Sequence, residues 1–284
     1  MPDSSVFSKI SSSYYQLTAS EKKVADYVIL HQQQTQYMSI SDLADSSGVA
    51  EATISRFCKS LGYKGYNAFK LAVAKASAER NLRSPLSGAV TPEDSIPDMC
   101  QKLFAADADA MAQTQELIKP EVITAASRLL LNAGTVLCVG QGGSMIMAQE
   151  AAHLFSTAFP GYICVSDSHM QAITATQLTE KDAVIYFSYS GATRDLQDML
   201  KLSKKCGFKL LLVTRFPKSP GALGADIILQ CGSNENPLQL GSIAARMAQL
   251  YLLDVLFSEM CRQDMESCKK RRKDISDALS SKHI

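Results

Sequence analysis

Between residues 136 and 229 the chain alternates short apolar runs with helix-length segments, and this alternation restricts its fold more than any other feature. The runs cover residues 136–139, 162–165, 183–188, 209–214 and 227–229. Strands at this spacing form βαβ units, which predicts a parallel sheet with helices on both faces. Upstream, one helix is expected through Met99, Leu103, Ala106 and Met111. A second follows Lys119-Pro120 and stops at Asn132-Ala133-Gly134. A last helix, from about 243 to 261, is apolar on most sides, more than one core-facing stripe requires. Such a helix sits deep in its domain or lies in a subunit interface. No internal repeat is visible.

A chain of 284 residues has room for two domains. Its 46% hydrophobic and 20% charged residues describe an ordinary globular protein. A net charge of +1 is uninformative, so any nucleic-acid signal must be local. No apolar run approaches the roughly 18 residues that span a bilayer. The start, Met1-Pro2-Asp3-Ser4-Ser5, lacks the basic-then-apolar pattern of a signal peptide. A cytoplasmic protein without a membrane partner is expected. The eight cysteines include no C-x-x-C pair and no His–Cys zinc spacing, and Cys138 and Cys164 lie inside apolar strands. They are expected to be buried reduced thiols, with no metal and no cofactor.

Residues 1–80 read as helix throughout. Thr18-x-x-Glu21 is a capping box that opens a helix with Val24, Tyr27 and Val28 on one face, and Ser39-x-x-Asp42 opens another. Residues 40–59 have the length and pattern of a helix-turn-helix. Ala44 is the small residue where the two helices approach, and Gly48 takes the turn, where glycine most easily adopts a positive φ. Leu43, Val49, Ile54 and Phe57 face inward, and Leu61-Gly62 closes the second helix. In this register Glu51, Ala52, Ser55, Arg56 and Lys59 project outward, with Thr53 beside them, as a face for the major groove. From Ala52 to Ala78 the five charged residues are all basic: Arg56, Lys59, Lys64, Lys70 and Lys75. A one-signed stretch suits phosphate contacts. Pattern alone also fits a three-helix packing unit with a solvated basic face. The stretch from 81 to 97 holds Pro85, Gly88, Pro92 and Pro97 without apolar periodicity and is the expected linker. Within it Thr91-Pro92-Glu93 would cap a short helix.

Two loops at strand ends carry the chemistry. Ser188-Tyr189-Ser190-Gly191-Ala192-Thr193 follows the apolar run Ala183-Val184-Ile185-Tyr186-Phe187, with a helix starting near Arg194. A helix N-terminus leaves backbone N–H groups unpaired and carries partial positive charge. Three hydroxyls and a glycine there make a phosphate cradle. The other loop, Gly140-Gln141-Gly142-Gly143-Ser144, opens a helix through Ala148, Ala151, Ala152 and Phe155. Both lie at C-terminal strand ends, where open α/β sheets bind ligands. The Gly140 loop lacks the G-x-G-x-x-G spacing of a dinucleotide site.

The Ser188–Thr193 loop resembles the Ser-x-Ser-Gly-x-Thr signature of SIS (sugar isomerase) domains. The run Glu51-Ala52-Thr53-Ile54-Ser55-Arg56-Phe57-Cys58-Lys59-Ser60-Leu61-Gly62-Tyr63-Lys64-Gly65-Tyr66 resembles the recognition-helix region of the RpiR family of bacterial regulators. Two independent motifs occur in the family's order. The resemblance implies an all-α helix-turn-helix domain (1–80) and, after the linker, an α/β SIS domain (98–284, core about 125–265). The latter is a five-stranded parallel sheet flanked by helices, flavodoxin-like in type. It further implies that Ser188, Ser190 and Thr193, with Gly191, hold a phosphate, and that Ser144 with the Gly142-Gly143 backbone holds the sugar. DNA contacts fall to Glu51, Ala52, Thr53, Ser55, Arg56, Lys59 and Lys64. Two departures stand out: Ala50, where the family usually has a capping Ser, and Ala192, where Glu is common.

Arg194 either adds charge to the phosphate site or stands solvated. His169 either faces the cleft or lies on the surface. Glu235 and Arg246 flank the loop before the last helix and receive no role. The run Lys269-Lys270-Arg271-Arg272-Lys273 either touches DNA backbone or is a solvated tail. Isomerisation needs a general base near the reacting proton, and neither His169 nor Glu235 sits in a motif that demands catalysis. A sensor needs only different ligand affinity in two states. The expectation is therefore a DNA-binding regulator, in its simplest form a repressor, of sugar or amino-sugar genes. Its partners are an operator duplex, a sugar-phosphate effector and further copies of itself in a homodimer or homotetramer. A phosphosugar isomerase or lyase with a helical accessory domain, and a DNA-binding protein whose SIS domain only assembles, are the competing readings.

Overall fold

The structure, a computed structural model, describes residues 6–80, 90–232 and 243–280. They fall into two compact units that part between Ala106 and Asp107, inside the helix Ile96–Leu117.

The first unit holds α1 (Val6–Ser13), α2 (Ala19–Leu30), α3 (Gln32–Thr35), α4 (Ile40–Ser47), α5 (Glu51–Ser60) and α6 (Tyr66–Arg80). Both expected capping boxes form. Thr18 N donates to Glu21 Oε2 (3.0 Å) and Ser39 N to Asp42 Oδ2 (3.0 Å), while each cap hydroxyl accepts from the third helical N–H. Ile10, Val24, Val28, Leu43, Ile54, Phe57, Phe69 and Val73 close the core. Phe69 receives Phe57 and Tyr63 edge-on, each with ring centroids 5.6 Å away.

Most of the expected linker, 81–89, lies outside the described residues. The expected short helix at Thr91-Pro92-Glu93 does not form. The Asp94 carboxylate instead accepts from Thr91 N (2.8 Å), Thr91 Oγ1 (3.1 Å) and Lys102 Nζ (2.7 Å), which closes a turn. Helix α7 (Ile96–Leu117) begins directly after Ser95, whose Oγ accepts from Asp98 N (3.3 Å), so Ile96 and Pro97 open a helix rather than end a linker.

The second unit continues with α8 (Pro120–Asn132), β1 (Val136–Gly140), α9 (Gly143–Ser156), β2 (Tyr162–Cys164), α10 (Ser168–Ala175), β3 (Ala183–Phe187), α11 (Arg194–Cys206), β4 (Lys209–Thr214), β5 (Ile227–Gln230), α12 (Ile243–Gln263) and α13 (Met265–Ser280). Helix α8 stops at Asn132, as expected, with no left-handed glycine after it. Ala133 is extended, and Gly134 N donates to Lys181 O (2.8 Å). The five strands form one parallel sheet in the order β2-β1-β3-β4-β5. Alternate strand residues feed two cores, as a sheet covered on both faces requires. Val136, Cys138, Ile185 and Leu211 pack with α8, α9 and α12. Leu137, Val139, Val184, Tyr186 and Leu212 pack with α10 and α11. Ala248, Leu252, Leu253, Leu256 and Met260 of α12 are buried in the first of these cores, so this helix lies deep in its unit.

The basic run 269–273 is helical, not a tail. Cys268 is buried, Arg272 lies over the Phe257 ring (6.0 Å), and Arg271 Nη1 donates to Ala158 O (3.4 Å). All eight cysteines are free, but the expected burial holds only for Cys58, Cys138, Cys231 and Cys268; Cys164, Cys206 and Cys261 are half-buried and Cys100 is exposed on α7. Burial pushes the Cys58 thiol up to about 12. Among the described residues no helix is long and apolar enough to cross a membrane, and no group of three or more potential metal ligands occurs.

Candidate functional site

In the first unit Gly48 ends α4 with φ +64°, and α5 starts after Ala50. Ile54, Phe57 and Cys58 are buried on the inner face of α5. Glu51, Ala52, Arg56 and Lys59 are exposed, Thr53 and Ser55 are half-buried beside them, and Lys64 is exposed beyond the helix. The outward register is thus as expected. Arg56 Nε donates to Ala52 O (3.2 Å) along its own helix. Among the described residues no ion pair engages Arg56, Lys59 or Lys64, so three exposed cations stand on α5 and just beyond it. Ala50 has the extended backbone of an N-cap (φ −77°, ψ 151°) but makes no capping bond.

In the second unit the sheet order makes the site. Strand β1 lies between β2 and β3, so the connections leaving β1 and β3 go to opposite faces. That is a switch point, where a crevice opens at the carboxyl ends of the strands. Gly140 pairs with Phe187 at the ends of β1 and β3, so the two loops start side by side.

Beyond β1, Gly142 takes φ +56° and is the N-cap of α9, which has no side-chain cap. Gly140 cannot be replaced cheaply, since a Cβ there would stand 2.7 Å from Ser144 O. Ser144 is half-buried in the first turn of α9. Beyond β3, Thr193 is the N-cap of α11, and its side chain makes no capping bond. Gly191 takes φ +60°, and a Cβ on it would overlap Ser219 Oγ and lie 2.7 Å from Ser219 Cβ. The loop is held from behind: Arg215 N and Thr214 Oγ1 donate to Tyr189 O (both 3.1 Å), and Gly221 N donates to Gly191 O (2.8 Å). Ser190 is exposed, and its Oγ accepts from Ala192 N (3.3 Å). Ser188 is 4% exposed.

Among the described residues, the buried oxygens Ser188 Oγ, Thr193 Oγ1 and Tyr186 Oη and the buried nitrogen Gln197 Nε2 have no hydrogen-bond partner. A buried polar atom left this way costs about 1–3 kcal/mol, so native proteins keep few of them. Four such atoms gather on one strand end and the following helical turns, beside two uncapped helix N-termini that suit an anion rich in acceptors.

The geometry adds residues that the sequence did not disclose: Tyr186, Gln197, the Gln141–Gln171 amide pair (Gln141 Nε2 donates to Gln171 Oε1, 2.9 Å), and the Thr214, Ser219 and Gly221 support. The one visible signal was Tyr186 itself, a phenol inside an otherwise apolar strand. His169 is exposed in the first turn of α10, Arg194 is exposed, Arg246 is half-buried on α12, and Glu235 lies outside the described residues. A groove of about 420 Å³ along the β5 edge, lined by Leu117, Ile118, Val122, Ile227 and Leu252, is largely apolar and contains none of these residues.

Comparison with known proteins agrees with both halves. The helix-turn-helix domain of the rpiR family matches residues 4–80, and the SIS domain matches residues 129–259. An HTH-type transcriptional regulator of Caldanaerobacter subterraneus is 30% identical over 279 residues, which is 98% of this chain and 97% of that protein. The HTH-type transcriptional regulator HexR of Pseudomonas aeruginosa is 29% identical over 248 residues, 87% of this chain and 86% of its own. Among solved structures, Vibrio vulnificus NanR complexed with ManNAc-6P superposes with a TM-score of 0.86 at 23% identity, covering 98% of this chain and 100% of that one. The first two relatives are HTH-type transcriptional regulators, and the likeness spans most of their length. The chain belongs to the RpiR family of HTH-type transcriptional regulators, a helix-turn-helix DNA-binding domain joined to a SIS domain.

Proposed function

We propose that this regulator is a repressor of sugar or amino-sugar metabolism genes, acting in the cytoplasm as a homodimer or homotetramer, and that it leaves its operator when a sugar phosphate binds between the β1 and β3 loops. The observation that carries this reading is the pair of unpartnered hydroxyls, Ser188 Oγ and Thr193 Oγ1, at the uncapped start of α11. A phosphate monoester supplies acceptors for both, and the exposed N–H groups and helix dipole favour its charge. In this reading Ser188, Ser190, Gly191 and Thr193 hold the phosphate, while Gly142, Gly143 and Ser144 hold the sugar. Residues 1–80 read the operator, with Glu51, Ala52, Thr53, Ser55, Arg56, Lys59 and Lys64 toward the major groove. The segment between residue 80 and the start of α7 carries the link to the effector domain that follows. The NanR neighbour, complexed with a phosphorylated amino sugar, supports the ligand class.

The test is a thermal-shift screen with sugar phosphates, followed by operator binding with and without the stabilising compound. Stabilisation and weakened operator binding are expected. The double variant Ser190→Ala/Thr193→Ala should lose the response while binding the operator normally. Absence of stabilisation by every sugar phosphate would point to a SIS domain used only for assembly. A normally responding double variant would refute the phosphate assignment.

A further inference from the structure

Beside the crevice, the loop after β1 is held by two amide side chains whose directions are fixed from one end. Gln171 on α10 is 2% exposed, and its Nε2 donates to Val165 O (2.9 Å) and Gly140 O (3.4 Å). Backbone carbonyls only accept, so both Gln171 protons are committed and its Oε1 points the other way. That oxygen accepts from Gln141 Nε2 (2.9 Å), so Gln141 too is held with its nitrogen inward and one N–H in hand. Tyr186 stands on the α10–α11 face of β3 and is 1% exposed. Burial pushes its hydroxyl up to about 12, against the opposing pull of the nearby Thr193 and Gln141 side chains. Neither of these neighbours meets hydrogen-bonding geometry with Tyr186 Oη, and Thr193 Oγ1 is unpartnered as well.

We propose that Tyr186 is a positioning residue of the effector site, the middle of a one-way donor relay that delivers the Thr193 hydroxyl proton to the bound phosphate. Gln141 Nε2 donates its second proton to Tyr186 Oη, Tyr186 donates to Thr193 Oγ1, and Thr193 donates to the phosphate. Every group then has one role, and the carbonyls of Val165 and Gly140 set the direction of the whole line. Hydrogen bonds in such a chain polarise one another toward the anion. The inference rests on the phosphate reading above. It adds that the loop after β1 strengthens phosphate binding from beneath, through Tyr186, without touching the ligand.

The test uses the full-length protein with inorganic phosphate as the probe, its affinity read from thermal shift and confirmed by phosphorus NMR. Tyr186→Phe removes one oxygen and should lower phosphate affinity about five- to tenfold, the size of one lost hydrogen bond. Its melting temperature without ligand should be unchanged or higher, because an unpartnered buried hydroxyl is gone. Gln141→Met breaks the relay one step earlier and should weaken binding in the same direction. The double variant should be no weaker than Tyr186→Phe alone, since both cut one line. Wild-type phosphate affinity in both single variants overturns the relay, and so do fully additive losses. Ser190→Ala/Thr193→Ala serves as the reference. If it fails to reduce phosphate binding, the site reading itself falls. If it abolishes binding while Tyr186→Phe does nothing, only the relay falls.

Discussion

Ala50 occupies a slot that its two counterparts fill with a hydroxyl. Thr18 and Ser39 cap α2 and α4 from the same extended backbone that Ala50 adopts before α5, yet its methyl group leaves the first N–H groups of the recognition helix without a side-chain acceptor. Ala50→Ser should therefore raise stability by about 0.5–1 kcal/mol, read as a higher melting temperature. An equal or lower value would show that the slot is not a cap. At this scale the sequence disclosed what is local. The Ser188-Tyr189-Ser190-Gly191-Ala192-Thr193 turn is legible because its hydroxyls, glycine and helix start are contiguous. Gln141 and Gln171 were not, because they are 30 positions apart and meet only once α10 has crossed the sheet. Tyr186 read as one more core residue, since burial of its ring hides the demand of its hydroxyl.

Two glycines show how differently the same backbone conformation is used in the two units. Gly48 and Gly191 both sit near φ +60°, but a Cβ on Gly48 meets nothing within 4 Å, whereas one on Gly191 strikes Ser219. Gly48→Ala should cost only backbone strain, on the order of 1 kcal/mol, and leave effector binding alone. Gly191→Ala adds overlap with the Ser219 support and should cost more, about 2–4 kcal/mol in urea unfolding, and abolish sugar-phosphate binding. Equal midpoints for the two variants would mean that the β3–α11 loop is not braced by Ser219. The elements themselves were readable where apolar period and cap coincide, as in the capped helices α2 and α4 and all five strands. They were misread where a side chain outcompeted the expected cap. Asp94 took the Thr91 amide and hydroxyl, and an ion pair with Lys102 fixed the turn. The 269–273 run suggested only a DNA-backbone contact or a solvated tail, because five consecutive charges mask the buried Cys268 and the arginine stem on Phe257 that anchor its helix.

At the scale of the molecule, the proposed function gives DNA to the first unit and a sugar phosphate to the second, so single substitutions should separate the two. Arg56 is exposed on α5, bonded only to its own helix among the described residues, and the effector loops lie in the other unit. Arg56→Ala should weaken operator binding by about 1–3 kcal/mol and flatten its dependence on salt, with phosphate-probe affinity unchanged. A joint loss of both affinities would contradict that separation. The two tasks must still be coupled if the effector releases the operator, and coupling is reciprocal. If saturating sugar phosphate lowers operator affinity by some factor, saturating operator must lower sugar-phosphate affinity by the same factor, for a coupling free energy of about 1–3 kcal/mol. Titrating effector into free protein and into the protein–operator complex at one salt concentration measures this directly. Equal effector affinities in the two titrations, alongside operator release, would mean that release comes from the ionic strength of the added phosphate and not from the SIS domain. The Ser190→Ala/Thr193→Ala variant distinguishes the same two causes: ionic release persists in it, and coupled release does not.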